Sequence, residues 1–390
     1  PLYSSAASDV YKRQILFLAV IGLFISTFLI GGAVYAVSGM GFVVCLLLGA
    51  ILSATDPVAV VAIFKDLGAP KRLAILVEGE SLFNDATAIV LFTILAAMIA
   101  GTAEADLVGG GLTFLKVFIG GIVVGFVMAH VFSWVISKVK GIALVEVSLT
   151  ISLAYLAFLF AEHYLHVSGV MAVVTAALVI GSHGRTSISG HGWELLQETW
   201  ETLGFWANSL IFVLVGIAVP TILSLFGPDM WVTLGTILVV GFGARALLTH
   251  GILPVLSATG ICPPVSLGFR TVMWWGGLRG AVSLALALAF FENEAISQEN
   301  QDFVIVLVCA FVLFTLFINA TTVGKVMQAF GLDKLSKNDL AIRDRTVERA
   351  LSEVAESIPA VAENNVVYGE VADLSLIHIS EPMRRRGISY

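Results

Sequence analysis

Charged residues are scarce in this sequence, and their scarcity excludes an ordinary water-soluble protein. Of 390 residues, 13% are Asp, Glu, Lys or Arg, whereas soluble domains carry about 25%. Hydrophobic residues make up 58% of the chain, and several apolar runs reach about 20 residues, the length of a helix that crosses a bilayer. The sequence therefore predicts an all-α, polytopic helical membrane protein that is surrounded by membrane lipid and binds no nucleic acid.

Cysteine is rare as well, with three residues in the whole chain. Cys45, Cys262 and Cys309 are scattered through apolar segments and lack the close spacing of metal ligands. The sequence therefore predicts neither a disulfide framework nor a thiolate metal centre, and we expect no cofactor.

Both ends of the chain differ in character from its membrane part. The DNA string GATGTGTATAAGAGACAG encodes Asp9–Gln14, and its reverse complement encodes Leu374–Ile379. One transposon-end sequencing adapter, translated from its two strands, therefore accounts for both tails. We expect residues 1–14 and 374–390 to be translated adapter, so that the native part is a fragment that lacks its natural start.

The apolar runs between these tails predict about ten membrane spans in one transmembrane domain over residues 15–332. The runs are 15–37, 42–63, 74–99, 111–137, 142–161, 167–182, 203–225, 230–255, 267–291 and 302–329. Lys and Arg fall in alternate loops, and the intervening loops hold acidic residues instead. Because basic loops stay in the cytoplasm, this pattern predicts a multi-pass protein of the plasma (inner) membrane with both fragment ends cytoplasmic. Residues 333–373 then form the start of a cytoplasmic tail.

One predicted span carries four polar side chains inside an apolar segment. The stretch Val77–Phe92 contains Glu80, Ser81, Asn84 and Asp85. Residues four apart share a helix face, so that Ser81 lies beside Asp85 and Glu80 lies beside Asn84. Ionisable groups at membrane depth are energetically costly and usually mark ion or proton pathways. We therefore predict a cation site at this segment.

Two other spans contain weak points in their helices. Pro57 removes a backbone donor and disfavours helical geometry at Asp56, which predicts an unwound segment at this point. The ninth span has three glycines around Arg279 in Gly276–Gly280. Two interrupted helices in separate halves predict an inverted-repeat transporter, in which Asp56 and Arg279 compensate the partial charges of the helix ends. In an alternative interpretation, Asp56 and Arg279 only pair with each other and stabilise packing.

The residue types at these places suit Na⁺, a hard cation that prefers oxygen ligands. Such oxygens are supplied by Asp85, Asp56, Ser81, Thr55 and Asn84, and we predict Na⁺ at Asp85, Asp56 and Ser81. A carboxylate that loses its water holds a proton more tightly, so that H⁺ and Na⁺ compete for Asp85. This competition is sufficient for antiport. Because Asn84 is neutral, the Asn84–Asp85 pair favours the exchange of one H⁺ for one Na⁺, which is electroneutral.

Glu80 needs a cationic partner if it stays charged inside the membrane. Arg245 in the eighth span and Arg279 in the ninth are the two candidates. We predict a structural ion pair between Glu80 and Arg245, which leaves Arg279 for charge compensation at the ninth-span break.

Three motifs occur together in this chain: TDP at 55–57, ESLFNDA at 80–86 and GGLRGA at 276–281. In this order they resemble the monovalent cation:proton antiporter-1 family, the bacterial sodium/proton antiporters related to sodium/hydrogen exchangers. The resemblance runs from about Ile15 to about Leu332. It implies a homodimer with an alternating-access mechanism, the ion-site residues named above, and the Glu80–Arg245 pair. It also implies that N-terminal helices are missing.

Other function classes fit the sequence less well. Within the same fold, a K⁺/H⁺ antiporter is the alternative to exchange of Na⁺ or Li⁺. An intramembrane aspartyl protease also needs two membrane carboxylates, but it needs them on intact facing helices, whereas Asp56 adjoins Pro57. A channel would need a continuous polar pore, whereas the polar residues concentrate at two breaks. The sequence therefore favours a transporter, not an enzyme.

Overall fold

The structure is a computed structural model that describes residues 13–67, 71–102, 107–228, 230–332, 345–350 and 352–353. These residues form helices joined by short connections, and none of them forms a strand. Most of the predicted tail and nearly all of the predicted adapter segments lie outside the described residues. The predicted all-α fold is confirmed for the part of the chain that is described.

The helices lie close to the predicted apolar runs. In chain order they are α1 (Gly22–Ser38), α2 (Phe42–Ser53), α3 (Val58–Leu67), α4 (Lys71–Ile99), α5 (Leu107–Lys138), α6 (Ala143–Leu159), α7 (Gly169–Ser187), α8 (Gly190–Ser224), α9 (Met230–Ala246), α10 (Leu253–Ala258), α11 (Leu267–Trp275), α12 (Ala281–Phe291), α13 (Gln298–Phe314) and α14 (Thr321–Ala329). Several helices continue through π-helical turns, which are Phe17–Ile21 before α1, Phe160–Tyr164 after α6, Leu247–Ile252 between α9 and α10, and Thr315–Ala320 between α13 and α14.

Enough of these helices are apolar for the chain to cross a membrane many times. Seven helical segments qualify by length and composition, namely Arg13–Ser38, Arg72–Ile99, Gly109–Lys138, Ala143–Tyr164, Gly190–Ser224, Met230–Ala258 and Gln298–Ala329. Three shorter apolar helices, Phe42–Ser53, Gly169–Ser182 and Ala281–Phe291, occupy the remaining predicted runs. Within the described ranges, each predicted run therefore contains an apolar helix, and the multi-pass architecture is confirmed.

Two of the predicted spans are each divided into two helices. Residues 54–57 separate α2 from α3, because Pro57 has no backbone N–H with which to continue the helix. Residues 276–280 separate α11 from α12. The two breaks cross in contact, since the Asp56 backbone N–H donates to the Leu278 carbonyl over 2.9 Å. Backbone groups that lose their helical hydrogen bonds at one break therefore find a partner in the other break, as an unwound segment at membrane depth requires.

α8 begins earlier than the sequence predicted. The predicted span covers residues 203–225, whereas the helix Gly190–Ser224 has 35 residues. The Ser189 hydroxyl caps this helix by accepting a hydrogen bond from the Gly192 N–H over 3.1 Å. The first turns of α8 mix Glu and Gln with Trp and Leu, so that their mean hydropathy is low although they are helical.

The helices pack in two groups, which contact each other through α4 and through α8. In the first group, α2 is buried from Val44 to Ser53 and packs among α1, α4, α12 and α13. In the second group, α5 and α7 approach so closely that a Cβ atom at Gly125 would lie 2.1 Å from the Ala172 carbonyl oxygen. α8 contacts α6 in the second group and both α12 and α13 in the first. Both broken helices therefore belong to the first group.

Candidate functional site

The polar side chains of α4 meet the first helix break in the interior of the first group. The Thr55 and Ser81 hydroxyls lie 3.0 Å apart and share a hydrogen bond. The Asn84 amide nitrogen donates to the Ser53 carbonyl over 3.0 Å and to Thr55 Oγ1 over 3.2 Å. Thr55, Ser81 and Asn84 are all buried. The structure thus brings together three of the residues that the sequence predicted at the ion site.

Asp85 differs from these neighbours because one of its oxygens has no donor. Its Oδ1 atom is buried and accepts no hydrogen bond from any residue that the structure describes. The Asn84 Oδ1 atom is in the same situation. The Asp85 carboxyl also lies close enough to Asp56 and Arg279 for electrostatic interaction with both. The Asp85 and Asn84 oxygens that lack donors and the hydroxyls of Thr55 and Ser81 are the kinds of ligand that suit a hard cation.

Asp56 has several donors and caps two helices. Its Oδ1 atom accepts a hydrogen bond from the Val58 N–H over 2.9 Å, at the first turn of α3. Its carboxylate also accepts one from the Ala281 N–H, at the first turn of α12. Helix N-termini carry a partial positive charge, so that Asp56 compensates two of them at once. The two carboxylates of the site therefore have different surroundings.

Arg279 compensates the opposite ends of the broken helices. Its Nε atom donates to the Leu52 carbonyl at the end of α2, and its Nη1 atom donates to the Gly277 carbonyl over 2.7 Å. Three successive carbonyls close α2, and their donors come from three different elements: Ser283 for Ile51, Arg279 for Leu52 and Asn84 for Ser53. The end of α2 is thus satisfied without water. No signal in the sequence singled out Ser283, since it is one hydroxyl in an apolar helix.

Glu80 lies on α4 with its carboxylate against Arg245 of α9. The Arg245 Nη1 atom donates to Glu80 Oε1, and its Nη2 atom donates to Oε2 over 3.1 Å. The exposed fraction is 1% for Glu80 and 8% for Arg245. Arg245 Nε also donates to the Met273 carbonyl over 3.3 Å. This bidentate pair therefore ties α4 and α9 to the end of α11.

Gly280 lies where the second break approaches Asp56 of the first break closely. A Cβ atom at this position would lie 1.7 Å from Asp56 Oδ2 and 2.5 Å from Asp56 Cγ. We expect Gly280→Ala to lower the free energy of unfolding by about 1–3 kcal/mol, because the crossing would have to open. Denaturant unfolding of the purified protein in detergent measures this change.

The matched control for this substitution is Gly243→Ala in α9, where a Cβ atom would meet no other atom within 4 Å. Alanine stabilises a helix more than glycine does. Gly243→Ala should therefore leave the free energy of unfolding unchanged or raise it slightly. Equal stability of the two variants would show that the breaks do not cross as closely as the structure shows.

Sequence and fold both relate this chain to known proteins. The profile of the family described as "Sodium/hydrogen exchanger, transmembrane" matches residues 10–329. The Na(+)/H(+) antiporter ApNhaP of Aphanothece halophytica is 34% identical over 397 residues, which cover 100% of this chain and 71% of that protein. The Na(+)/H(+) antiporter NhaH of Halobacillus dabanensis is 36% identical over 325 residues, with 82% of this chain and 77% of that protein covered.

The fold has a counterpart among solved structures. The sodium proton antiporter MjNhaP1 from Methanocaldococcus jannaschii superposes with a TM-score of 0.68 at 20% sequence identity, over 86% of this chain and 82% of that chain. The family match includes α4 and both broken helices, so that it covers every residue of the candidate site. The resemblance predicted from the three motifs is thereby confirmed. This chain belongs to the transmembrane sodium/hydrogen exchanger family, whose members are secondary transporters and not enzymes.

Proposed function

We propose that this chain is a secondary active transporter that exchanges Na⁺ for H⁺ across the plasma membrane. The observation that carries the proposal is the buried Asp85 Oδ1 atom, which has no donor among the described residues. It lies on the helix that also presents Ser81 and Asn84 to the first helix break. The relatives that are most informative here, ApNhaP and NhaH, are named Na(+)/H(+) antiporters.

In the proposed mechanism, H⁺ and Na⁺ compete for the Asp85 carboxylate. Protonated Asp85 is neutral and binds no cation, whereas ionised Asp85 attracts Na⁺ strongly in surroundings of low polarity. The remaining oxygen ligands would come from Asp56, Ser81, Thr55 and the Asn84 amide. Arrival of one ion therefore expels the other. The carrier changes its access from one side to the other only with Asp85 neutralised by either ion.

The proposed stoichiometry follows from the partners of the three acidic residues. Glu80 is held by Arg245, and Asp56 is held by two helix N-termini. Asp85 is then the one carboxylate of this site that is free to bind and release a proton, since residue 84 is asparagine. One H⁺ exchanged for one Na⁺ moves no net charge, so that the exchange is electroneutral.

Among alternatives to Na⁺, the hard cation Li⁺ should bind the same oxygen ligands. The names of the relatives favour Na⁺ over K⁺. An aspartyl protease does not fit, because Asp56 binds two helix ends and the family consists of transporters. We further propose a homodimer whose described ends face the cytoplasm, on the basis of the Lys and Arg distribution and the family resemblance.

The proposal is tested with the purified chain in liposomes that contain a pH-sensitive dye. An outward Na⁺ gradient should acidify the interior, because each Na⁺ that leaves is replaced by one H⁺. The initial rate should stay the same when valinomycin and equal K⁺ clamp the membrane potential at zero. Protein-free liposomes are the control for leak.

Each part of the proposal has its own contradicting result in this assay. A rate that depends on the clamp would contradict electroneutral exchange. Acidification by an outward K⁺ gradient, without any by Na⁺, would assign the chain to K⁺/H⁺ exchange. If outward gradients of Na⁺, Li⁺ and K⁺ all fail to acidify the interior, antiport itself is contradicted.

A further inference from the structure

The π-helical turn Thr315–Ala320 packs against the second helix break. π-Helical turns inside long helices occur frequently at functional sites. This turn presents two polar side chains, Thr315 and Asn319, whose exposed fractions are 1% and 0%. No motif in the sequence singled out either residue. Both side chains bind backbone groups of the break instead of groups in their own helix alone.

Each of these two side chains satisfies a backbone group on one side of the break. The Asn319 amide nitrogen donates to the Trp275 carbonyl over 2.8 Å, at the end of α11. The Thr315 hydroxyl accepts the Arg279 backbone N–H over 3.3 Å and donates to the Val312 carbonyl over 2.9 Å. A buried backbone group that loses its partner destabilises the structure around it. The break therefore depends on Asn319 at Trp275 and on Thr315 at Arg279.

The position of this break determines the position of charges near Asp85. Leu278 in the break accepts the Asp56 N–H, and Arg279 donates to the end of α2. Among the residues that the structure describes, Asp56 from the first break and Arg279 from the second interact electrostatically with Asp85. A displacement of the Arg279 backbone would therefore carry a positive charge away from Asp85.

We propose that Asn319 and Thr315 are positioning residues for cation exchange, which hold the second break so that the Arg279 guanidinium remains at the end of α2 beside Asp85. Neither residue needs to touch the transported ion. The inference rests on the proposed function, since it concerns the same carboxylate.

If Thr315 and Asn319 position Arg279, their removal should change the affinity of the site for Na⁺. A mere loss of folded protein does not change this affinity. The Arg279 charge opposes binding of Na⁺ at Asp85, while Arg245 and Glu80 lie next to Arg279 and largely neutralise each other. If Arg279 is displaced, the site binds Na⁺ more tightly. The apparent KM for Na⁺, measured at pH 9 where protons compete least, then falls. A smaller amount of folded protein lowers only the maximal rate.

The experiment compares two pairs of variants in the liposome assay at pH 9, with initial rates recorded over a range of Na⁺ concentrations. Thr315→Val removes the hydroxyl at nearly constant volume, and Thr315→Ser keeps it. Asn319→Leu removes the amide donor, and Gln328→Leu makes a similar change at an exposed position of α14. Thr315→Val and Asn319→Leu should lower the apparent KM for Na⁺ about three- to tenfold. Thr315→Ser and Gln328→Leu should retain the wild-type KM.

The outcomes separate this inference from the proposed function. If the wild type exchanges ions and Thr315→Val and Asn319→Leu keep its KM for Na⁺, the positioning role is wrong and the antiporter function stands. The same conclusion follows if both variants lose maximal rate without a change of KM. If Asn319→Leu does not fold, the Thr315→Val and Thr315→Ser pair decides alone. If the wild type exchanges no cation, the proposed function itself is contradicted.

Discussion

Asp85→Asn is expected to reduce Na⁺/H⁺ exchange to the level of protein-free liposomes. Asparagine has nearly the same shape as aspartate, so that α4 and the crossing of the helix breaks should keep their packing. It cannot bind and release a proton at ordinary pH, and it offers Na⁺ a neutral oxygen in place of a charged one. Both halves of the exchange cycle are lost together. The dye assay in liposomes measures this loss directly.

The control for this variant is Asp302→Asn at the start of α13. Asp302 accepts a hydrogen bond from Gln298 over 2.8 Å at the surface, away from the helix breaks. Asp302→Asn makes the same chemical change as Asp85→Asn, and the Asp302→Asn protein should retain the wild-type exchange rate. Exchange above background by a folded Asp85→Asn protein would refute the assignment of Asp85, and the ion site would then have to be sought elsewhere.

Removal of one partner of the Glu80–Arg245 pair is expected to destabilise the protein more than removal of both. Glu80→Ala leaves a buried guanidinium without its carboxylate, and Arg245→Ala leaves a buried carboxylate without its cation. Each single change should cost about 3–5 kcal/mol, because an unpaired charge is left out of water. The double variant leaves neither charge and should cost less than either single variant. Denaturant unfolding in detergent gives the three free energies.

The coupling energy from this cycle tests whether the contact exists as described. Residues in direct contact couple by about 0.5–3 kcal/mol, and a buried bidentate pair should lie at the upper end or above it. Arg245→Lys keeps the charge and loses the bidentate geometry. Its free energy of unfolding should therefore lie between those of the wild type and Arg245→Ala. Strictly additive losses in the Glu80→Ala and Arg245→Ala cycle would contradict the pair. The exposed pair Gln298 and Asp302 should show almost no coupling.

The parts of the fold that follow from local chemistry could be predicted from the sequence. Pro57 has no N–H to donate, and three glycines in five residues weaken a helix, so that both breaks have a local cause. Long apolar runs identify the spans in the same way. Hydropathy did not predict where α8 begins. The first turns of Gly190–Ser224 are helical, but they contain too many polar residues to stand out as an apolar run.

The partner of a buried charge in a distant segment could be predicted because charge restricts the choice. Glu80 is 165 residues from Arg245, but few basic residues lie inside the membrane, so that two candidates sufficed to name the partner. Ser283, Thr315 and Asn319 carry no charge and follow no spacing. Their roles depend on which backbone carbonyls and N–H groups the breaks leave without partners, and that depends on how the two broken helices cross.

The most direct test of competition at Asp85 is the release of protons when Na⁺ binds. Purified protein in weakly buffered detergent solution is mixed with NaCl, with choline chloride as the control, and H⁺ release and bound Na⁺ are both measured. Wild type should release one H⁺ for each Na⁺ bound, and Asp85→Asn should release none. Binding of Na⁺ by the wild type without proton release, or equal proton release by Asp85→Asn, would contradict the account.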